Sequence, residues 1–350
     1  GVGLANVSMI LSGAQTGQLS TDAEGNYSFT ISQVGNVTVT ASSPYYSFAP
    51  QRQSFSPIYG DRVVNFEAAP INYNLTGQVT DESGAPLSGV SLTLDGYRQA
   101  ATTTDGNGSY SFADLWAGGR YTITLAKAHY SFSPNSQSFD TLSGNSSADF
   151  AGALVSYKIA GRVADESGNA IPGAKVTLSN GASVTSDGNG LYALTARAQG
   201  DYTISAEEEF FDFTSATINR LSGDSTVNIA GKRKTYTVNG RVLDDSGAGL
   251  DGAEVVLGDK RATTAGGGYY SLSGVPAGLI YTFAPLSNLF SFEPQTFQLK
   301  GDTNFNFEGV RRTYRLGGRL VEKGIGISGV TVRLNDSLET TSAADGTFFF

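Results

Sequence analysis

The sequence predicts an all-β protein, built of tandem antiparallel β-sandwich repeats that form an elongated rod. Three observations lead there. One short phrase returns along the chain with its glycine at Gly77, Gly161, Gly240 and Gly318, at spacings of 84, 79 and 78 residues. Within each block, apolar and polar residues alternate with the period of two that marks a half-buried strand. Asp-Gly, Gly-Asn and Ser-Gly pairs punctuate these runs, and such pairs supply the positive φ of tight turns between antiparallel strands. No stretch of helical length carries the helical period.

The elements recur in a fixed order. Four blocks open on a strand: NYNLTGQV (Asn72–Val79), SYKIAGRV (Ser156–Val163), TYTVNGRV (Thr235–Val242) and TYRLGGRL (Thr313–Leu320). In the first of these Tyr73, Leu75, Gly77 and Val79 share one face, and Asn74, Thr76 and Gln78 the other. A glycine on the inward face weakens a strand unless something approaches closely. The expected neighbour is a large side chain, Tyr110 or its equivalents Tyr27, Tyr192 and Tyr270. A second strand follows a turn, in GLANVSMIL, PLSGVSLTL, IPGAKVTLS, LDGAEVVLG and ISGVTVRLN. A tight turn then feeds a third, in DAEGNYSF, DGNGSYSF, DGNGLYAL, GGGYYSL and ADGTFFF. Next comes a six-residue phrase: YYSFAP (Tyr45–Pro50), HYSFSP (His129–Pro134), FFDFTS (Phe210–Ser215) and LFSFEP (Leu289–Pro294). Blocks close on VNFEA, ADFAG, VNIAG or FNFEG.

Lined up this way, the chain divides into five repeats. Residues 1–70 form a partial repeat lacking its first strand; 71–155, 156–234 and 235–312 are full repeats; 313–350 lacks its last strands. The connections Ala151–Ser156, Gly231–Thr235 and Glu308–Thr313 hold no Pro-rich or Gly/Ser-rich hinge, so adjacent repeats should have little freedom. Gly1 in place of an initiator Met, and the partial repeats at both ends, read as a window on a longer array. Completion of an open edge by a strand from another chain is the alternative. It is awkward, because the last repeat duplicates strands the first already has.

Composition excludes several classes. A formal net charge of -9 argues against nucleic acid, whose phosphates need a basic surface. No apolar run reaches membrane-spanning length. Cysteine is absent, which removes disulfides and thiolate metal sites. The single histidine, His129, has no repeated partner from which to build a nucleophile and base, so neither an enzyme nor a cofactor is expected. Asp22, Asp105 and Asp187, and the pairs Asp81–Glu82, Asp165–Glu166 and Asp244–Asp245, sit at turns. They lack the Asp-x-Asp-x-Asp-Gly spacing of a calcium loop, and Ala265 and Ala343 replace the turn aspartate in two repeats, so Asx turns explain them and no metal is expected.

The pattern carried by Leu75–Val79, Gly84–Leu94, Thr104–Phe112 and Tyr121–Leu125, and by their repeats, resembles the carboxypeptidase regulatory-like domain. That family has a transthyretin-like, immunoglobulin-like sandwich and is similar to the collagen-adhesin B-type repeats of bacterial surface proteins. The resemblance implies a non-catalytic accessory or spacer module, often in tandem on secreted or surface-attached bacterial proteins. No lysine recurs at an equivalent strand position, so the Lys–Asn crosslink of some related repeats is not carried over.

Alternation puts Tyr45, His129, Phe210 and Leu289 on the outer face, where they either pack under a neighbouring loop or, as an exposed series of large side chains, mark an inter-repeat or inter-chain contact. The basic clusters Lys232, Arg233 and Lys234, and Arg311 and Arg312, fall at junctions, and like the acidic run Glu207–Glu209 they read by default as solvated faces; the sharper alternative is that they meet acidic patches on an adjacent repeat or a neighbouring chain. Asn-x-Ser/Thr sequons at Asn6, Asn26, Asn36, Asn74, Asn107, Asn145 and Asn335 are candidate glycosylation sites. The function that follows is structural: an extracellular fibre, stalk or surface filament whose partner is the protein itself, end to end or laterally. The alternative is an adhesin or a carbohydrate-binding accessory region of a larger secreted protein, with surface glycans stacked on Tyr45, Phe210 or Tyr97.

Overall fold

The computed structural model describes residues 2–350; Gly1 lies outside the described residues. These residues form strands and turns and no helix. They divide into two compact units. Of the described residues, one takes those up to Ile159 with Thr195–Asp201 and Ile218–Ser225; the other comprises Ala160–Leu194, Tyr202–Thr217 and Thr226–Phe350.

In the first unit, the second repeat shows the plan most fully. One sheet has the strand order Ser109–Trp116, Asn72–Asp81, Phe150–Leu154, Tyr130–Ser133. The other runs Ser136–Phe139, Tyr121–Ala126, Ser91–Gly96, Ala100–Thr103. The period of two turns Leu75, Val79, Phe112 and Phe150 of one sheet, and Leu92, Leu94, Tyr121 and Ile123 of the other, into a single core. Tyr130 and Phe132 pack at its margin, half-buried. Most pairings are antiparallel. The closing strand is an exception, for Phe150–Gly152 runs parallel to Val79–Asp81. After crossing to the second sheet the chain returns beside its own opening strand in the same direction.

That return explains the inward glycine. A Cβ on Gly77 would lie 1.9 Å from the Ala148 carbonyl oxygen and 2.8 Å from the Tyr110 ring. The Tyr110 hydroxyl donates to the same carbonyl at 2.6 Å. The expected tyrosine is therefore there, but the backbone of the returning strand comes closer still. On either side of this crowded carbonyl, side chains replace ladder bonds: the Asn74 and Gln78 N–H groups donate to Asn145 Oδ1 and Asp149 Oδ1, both at 2.8 Å.

A buried hydroxyl ties the start of the second strand to the third turn. Thr104 Oγ1 accepts from the Val90 N–H at 3.0 Å and donates to the Leu87 carbonyl at 2.7 Å. Thr21 does the same for Val7 and Leu4 in the first repeat. There the sheet Gly17–Ser20, Ser8–Gly13, Val37–Ser42, Arg52–Phe55 covers a core of Val7, Met9, Leu11, Val37 and Val39.

The second unit repeats these devices. In the third repeat, Val227 O stands 1.8 Å from a Cβ on Gly161 and accepts the Tyr192 hydroxyl at 2.6 Å. In the fourth, Phe305 O stands 1.7 Å from a Cβ on Gly240 and accepts from Tyr270 at 2.7 Å. Ser186, Thr264 and Ser342 supply the buried hydroxyl. The opening strand of the fourth repeat, Thr235–Leu243, pairs antiparallel with Tyr269–Pro276 and parallel with Thr303–Asn304 and Phe307–Glu308 over the core of Val238, Val242, Val255 and Phe283. The fifth repeat has only two-stranded ladders, Gly317–Arg319 with Thr347–Phe349 among them, and leaves Leu316, Ile325 and Leu338 exposed.

Candidate functional site at the repeat joints

Where one repeat passes into the next, a single linker residue bonds both ways. The Ile71 N–H donates to the Tyr45 carbonyl at 3.0 Å, and the Ile71 carbonyl accepts from the Ala117 N–H at 2.8 Å. Val155 bridges His129 and Ala198 in the same manner, with both bonds at 2.9 Å. Lys234 bridges Phe210 and Ala277, again with both at 2.9 Å. The Arg312 N–H donates to Leu289 O at 2.8 Å. A large rotation at a linker bonded on both sides would break a backbone hydrogen bond.

The residue whose carbonyl takes that bond also places its side chain at the joint. The Tyr45 ring comes within 2.6 Å of where a Cβ on Gly118 would be, and the Phe210 ring equally close to a Cβ on Gly278. Both glycines hold left-handed φ, +81° and +79°. In the joint after the second repeat the turn residue is Gln199, at φ 63°. It has the Cβ that the glycines lack, and the residue equivalent to Tyr45 and Phe210 is the smaller His129, whose Nδ1 lies 3.0 Å from the Tyr157 hydroxyl. Leu289 keeps the backbone bond but its side chain is 59% exposed. Tyr45 and Phe210 thus face a following turn, whereas Tyr97 stands 67% exposed on a hairpin tip.

Charges at the joints are held by local partners. Arg233 donates to the Ala277 carbonyl at 2.7 Å and covers the Phe211 ring at 4.4 Å. Lys234 Nζ donates to the Glu209 carbonyl at 3.0 Å. Arg311 pairs with Asp245 at 3.3 Å, and Arg312 donates to the Phe290 carbonyl at 3.0 Å. Lys232 is exposed opposite Asp212. These cations end the closing strand, in register with their own repeat's aromatic phrase, so they mostly stay over that repeat. The acidic run is met instead by Lys300, 3.4 Å from Glu209, and Arg197 pairs with Glu82.

The turn aspartates behave as Asx caps. Asp81 Oδ1 accepts from the Ser83 and Ala85 N–H groups at 2.8 and 2.9 Å, and Asp165 and Asp244 repeat the pattern. The Ser83 hydroxyl and these N–H groups hold the Asp81 carboxyl below its ordinary range. Burial pushes the phenols of Tyr110 and Tyr270 up, and that of Tyr192 to about 12. Among the described residues, no group of three or more His, Asp or Glu is placed to hold a metal. Asn6, Asn26, Asn36, Asn74, Asn107, Asn145 and Asn335 are all exposed. A cavity of about 850 Å³ in the first repeat is lined by Tyr27, Phe29, Ile31, Val39 and Phe55; in the second repeat the corresponding Tyr110 and Phe112 pair with the opening strand.

Sequence reasoning missed the linker residues and the turn they grip. The signal was present: Ala117, Ala198 and Ala277 recur one residue before Gly118, Gln199 and Gly278, and all three alanines are buried.

These joints and sheets define a class, an array of β-sandwich repeats coupled through short pinned linkers. Residues 74–148 and 158–230 each match the model of the carboxypeptidase regulatory-like domain, two matches in tandem. A chitinase of Flavobacterium johnsoniae is 31% identical over 166 residues, which is 46% of this chain and 10% of the chitinase. The chain thus spans a tenth of the curated relative it matches. The solved Bacillus anthracis TIE protein is 12% identical, with a TM-score of 0.54, and the match covers 87% of this chain and 66% of that one; the likeness is one of fold. The major pilin subunit of Bacillus cereus is 11% identical over 69% of this chain and all of its own, with a TM-score of 0.29.

Proposed function

We propose that the chain is a non-catalytic spacer, a run of an extracellular fibre, stalk or surface filament in which each repeat fixes the direction of the next. The observation that carries this reading is the linker bonded on both sides at Ile71, Val155 and Lys234. Short pinned linkers make length scale with repeat number, which is what a stalk requires. Side chains at Tyr45, His129 and Phe210 serve as the joint contacts, and further copies of the chain are the natural partners end to end or side by side. Negative-stain electron microscopy of the purified protein tests this. Regular beads at a constant spacing are expected; compact round particles would overturn it.

A second reading is favoured by the chitinase similarity: the repeats serve as an accessory region that holds a catalytic domain of a larger secreted protein away from its anchor. Mass spectrometry of the intact protein from its native source separates the two readings. A catalytic domain in the same polypeptide supports the accessory role, and repeats alone contradict it.

A further inference from the structure

We propose that Tyr97, backed by Trp116, forms a binding platform for a neutral pyranose chain. Tyr97 sits at the tip of the hairpin between Ser91–Gly96 and Ala100–Thr103. Its ring stacks on Trp116 with centroids 4.6 Å apart and planes at 29°. One face is therefore covered and the other faces water, the side chain being 67% exposed. Trp116 is fixed from behind by Tyr45 and Tyr46, at 5.8 and 6.3 Å.

The tip is held still. The Tyr97 N–H donates to the Arg120 carbonyl at 3.0 Å. Arg98 Nη1 donates to the Ala113 and Asp114 carbonyls at 2.9 and 3.2 Å, and Gln99 Nε2 to Asp95 Oδ1 at 3.2 Å. A ring locked in place loses little entropy on binding, which is the condition for a useful platform.

The fold does not require this pair. At the matching tips the third and fourth repeats carry Ser179–Gly181 and Gly258–Asp259, and in the Trp116 position they carry Arg197 and Pro276. Their joints keep the pinned linker all the same. Two large rings, one of them the sole tryptophan of the chain, are spent on a surface where the other repeats use small or polar residues.

Chemistry selects the ligand. A flat apolar face with a rim of donors and acceptors, here Asp95, Arg98 and Gln99, matches a pyranose ring, which presents a C–H face bordered by hydroxyls. Asp95 and Asp114 beside the platform and the net charge of -9 disfavour an anionic polymer. The platform goes beyond the spacer reading and does not depend on it, since loss of sugar binding leaves the beading untouched.

Trp116 reports on its own site. Cellohexaose and the hexamer of N-acetylglucosamine are titrated separately while its emission is followed. A saturable shift with at least one of them is expected. Tyr97→Ala should weaken binding roughly tenfold, as loss of one stacked ring does. Tyr97→Phe should retain binding, and Phe210→Ala, at another joint, should leave it unchanged. Circular dichroism melts establish that each variant is folded. No saturable shift with either sugar at millimolar concentration would overturn the proposal. So would an affinity unchanged in folded Tyr97→Ala, or binding lost in Tyr97→Phe.

Discussion

The Phe210 ring stands so close to Gly278 that a Cβ on the glycine would lie 2.6 Å from it. Residue 210 belongs to the end of one repeat and residue 278 to a turn of the next, so the joint is closed by an aromatic ring seated on bare backbone. Gly278→Ala is opposed twice, by the ring and by a φ of +79°. It should destabilise this joint by about 1–3 kcal/mol, the usual range for a strained left-handed residue. Phe210→Ala removes the ring and should relieve only the steric half. Urea denaturation of the two single variants and the double variant measures the coupling, and strict additivity would count against a direct contact.

The tyrosine behind each inward glycine predicts an alkaline transition. Burial raises the phenol pKa of Tyr110, Tyr192 and Tyr270 above the ordinary 10.0. The folded state then holds its phenolic protons more tightly than the unfolded one. This contribution is complete below pH 10 and is lost as pH rises through the folded values. Phenolate absorbance should show a late-titrating group that moves to the ordinary range when the protein is unfolded. Tyr110→Phe should cost about 1–2 kcal/mol by leaving the Ala148 carbonyl without its donor.

The buried hydroxyl predicts a different loss. Thr104→Val keeps the shape but strands the Val90 N–H and the Leu87 carbonyl. A cost of about 1–3 kcal/mol is expected, recovered in Thr104→Ser. Thermal melting of the two variants decides it, and equal melting temperatures would contradict the bonding.

Acid should weaken the turns. Hydrogen bonds from Ser83 to Asp81, from Asn169 to Asp165 and from Ser246 to Asp244 lower these carboxyl pKa values below the ordinary 3.8. Their stabilising effect is therefore full above the unfolded value and lost as pH falls through the folded ones. Carboxyl carbon shifts followed by NMR should give late protonation at these aspartates, and Ala in place of Asp81 should flatten the acid limb of a stability–pH curve.

The all-β class was legible because alternation, Gly-bearing turns and a returning phrase all point the same way, from Leu75 and Val79 through to Val238 and Val242. The inward glycine was legible as a close approach, but not the agent of that approach. The Ala148 carbonyl arrives from a strand 71 residues distant, as the Asn74–Asn145 bond shows, and no local pattern reveals such a pairing. The parallel return was invisible for the same reason. Tyr45 and Phe210 read as outward, which they are relative to their own strands. Alternation describes one sheet, and it says nothing about a turn of the following repeat that occupies the space outside it. Basic residues such as Arg233 read as solvated faces or as bridges to acid on another repeat; the register that places Arg233 opposite Phe211, with its guanidinium over that ring and bonded to the Ala277 carbonyl, was not legible.

The central claim is that the pinned linker makes a joint rigid. The chain has no cysteine, so two spin labels can be placed at will. Ser183→Cys in the third repeat and Thr263→Cys in the fourth lie on exposed positions either side of the Phe210–Gly278 joint. Pulsed electron–electron resonance between them should give one narrow distance distribution in the otherwise native chain, and a broader one when Phe210→Ala and Gly278→Ala are combined. A broad distribution in the native chain would contradict the account.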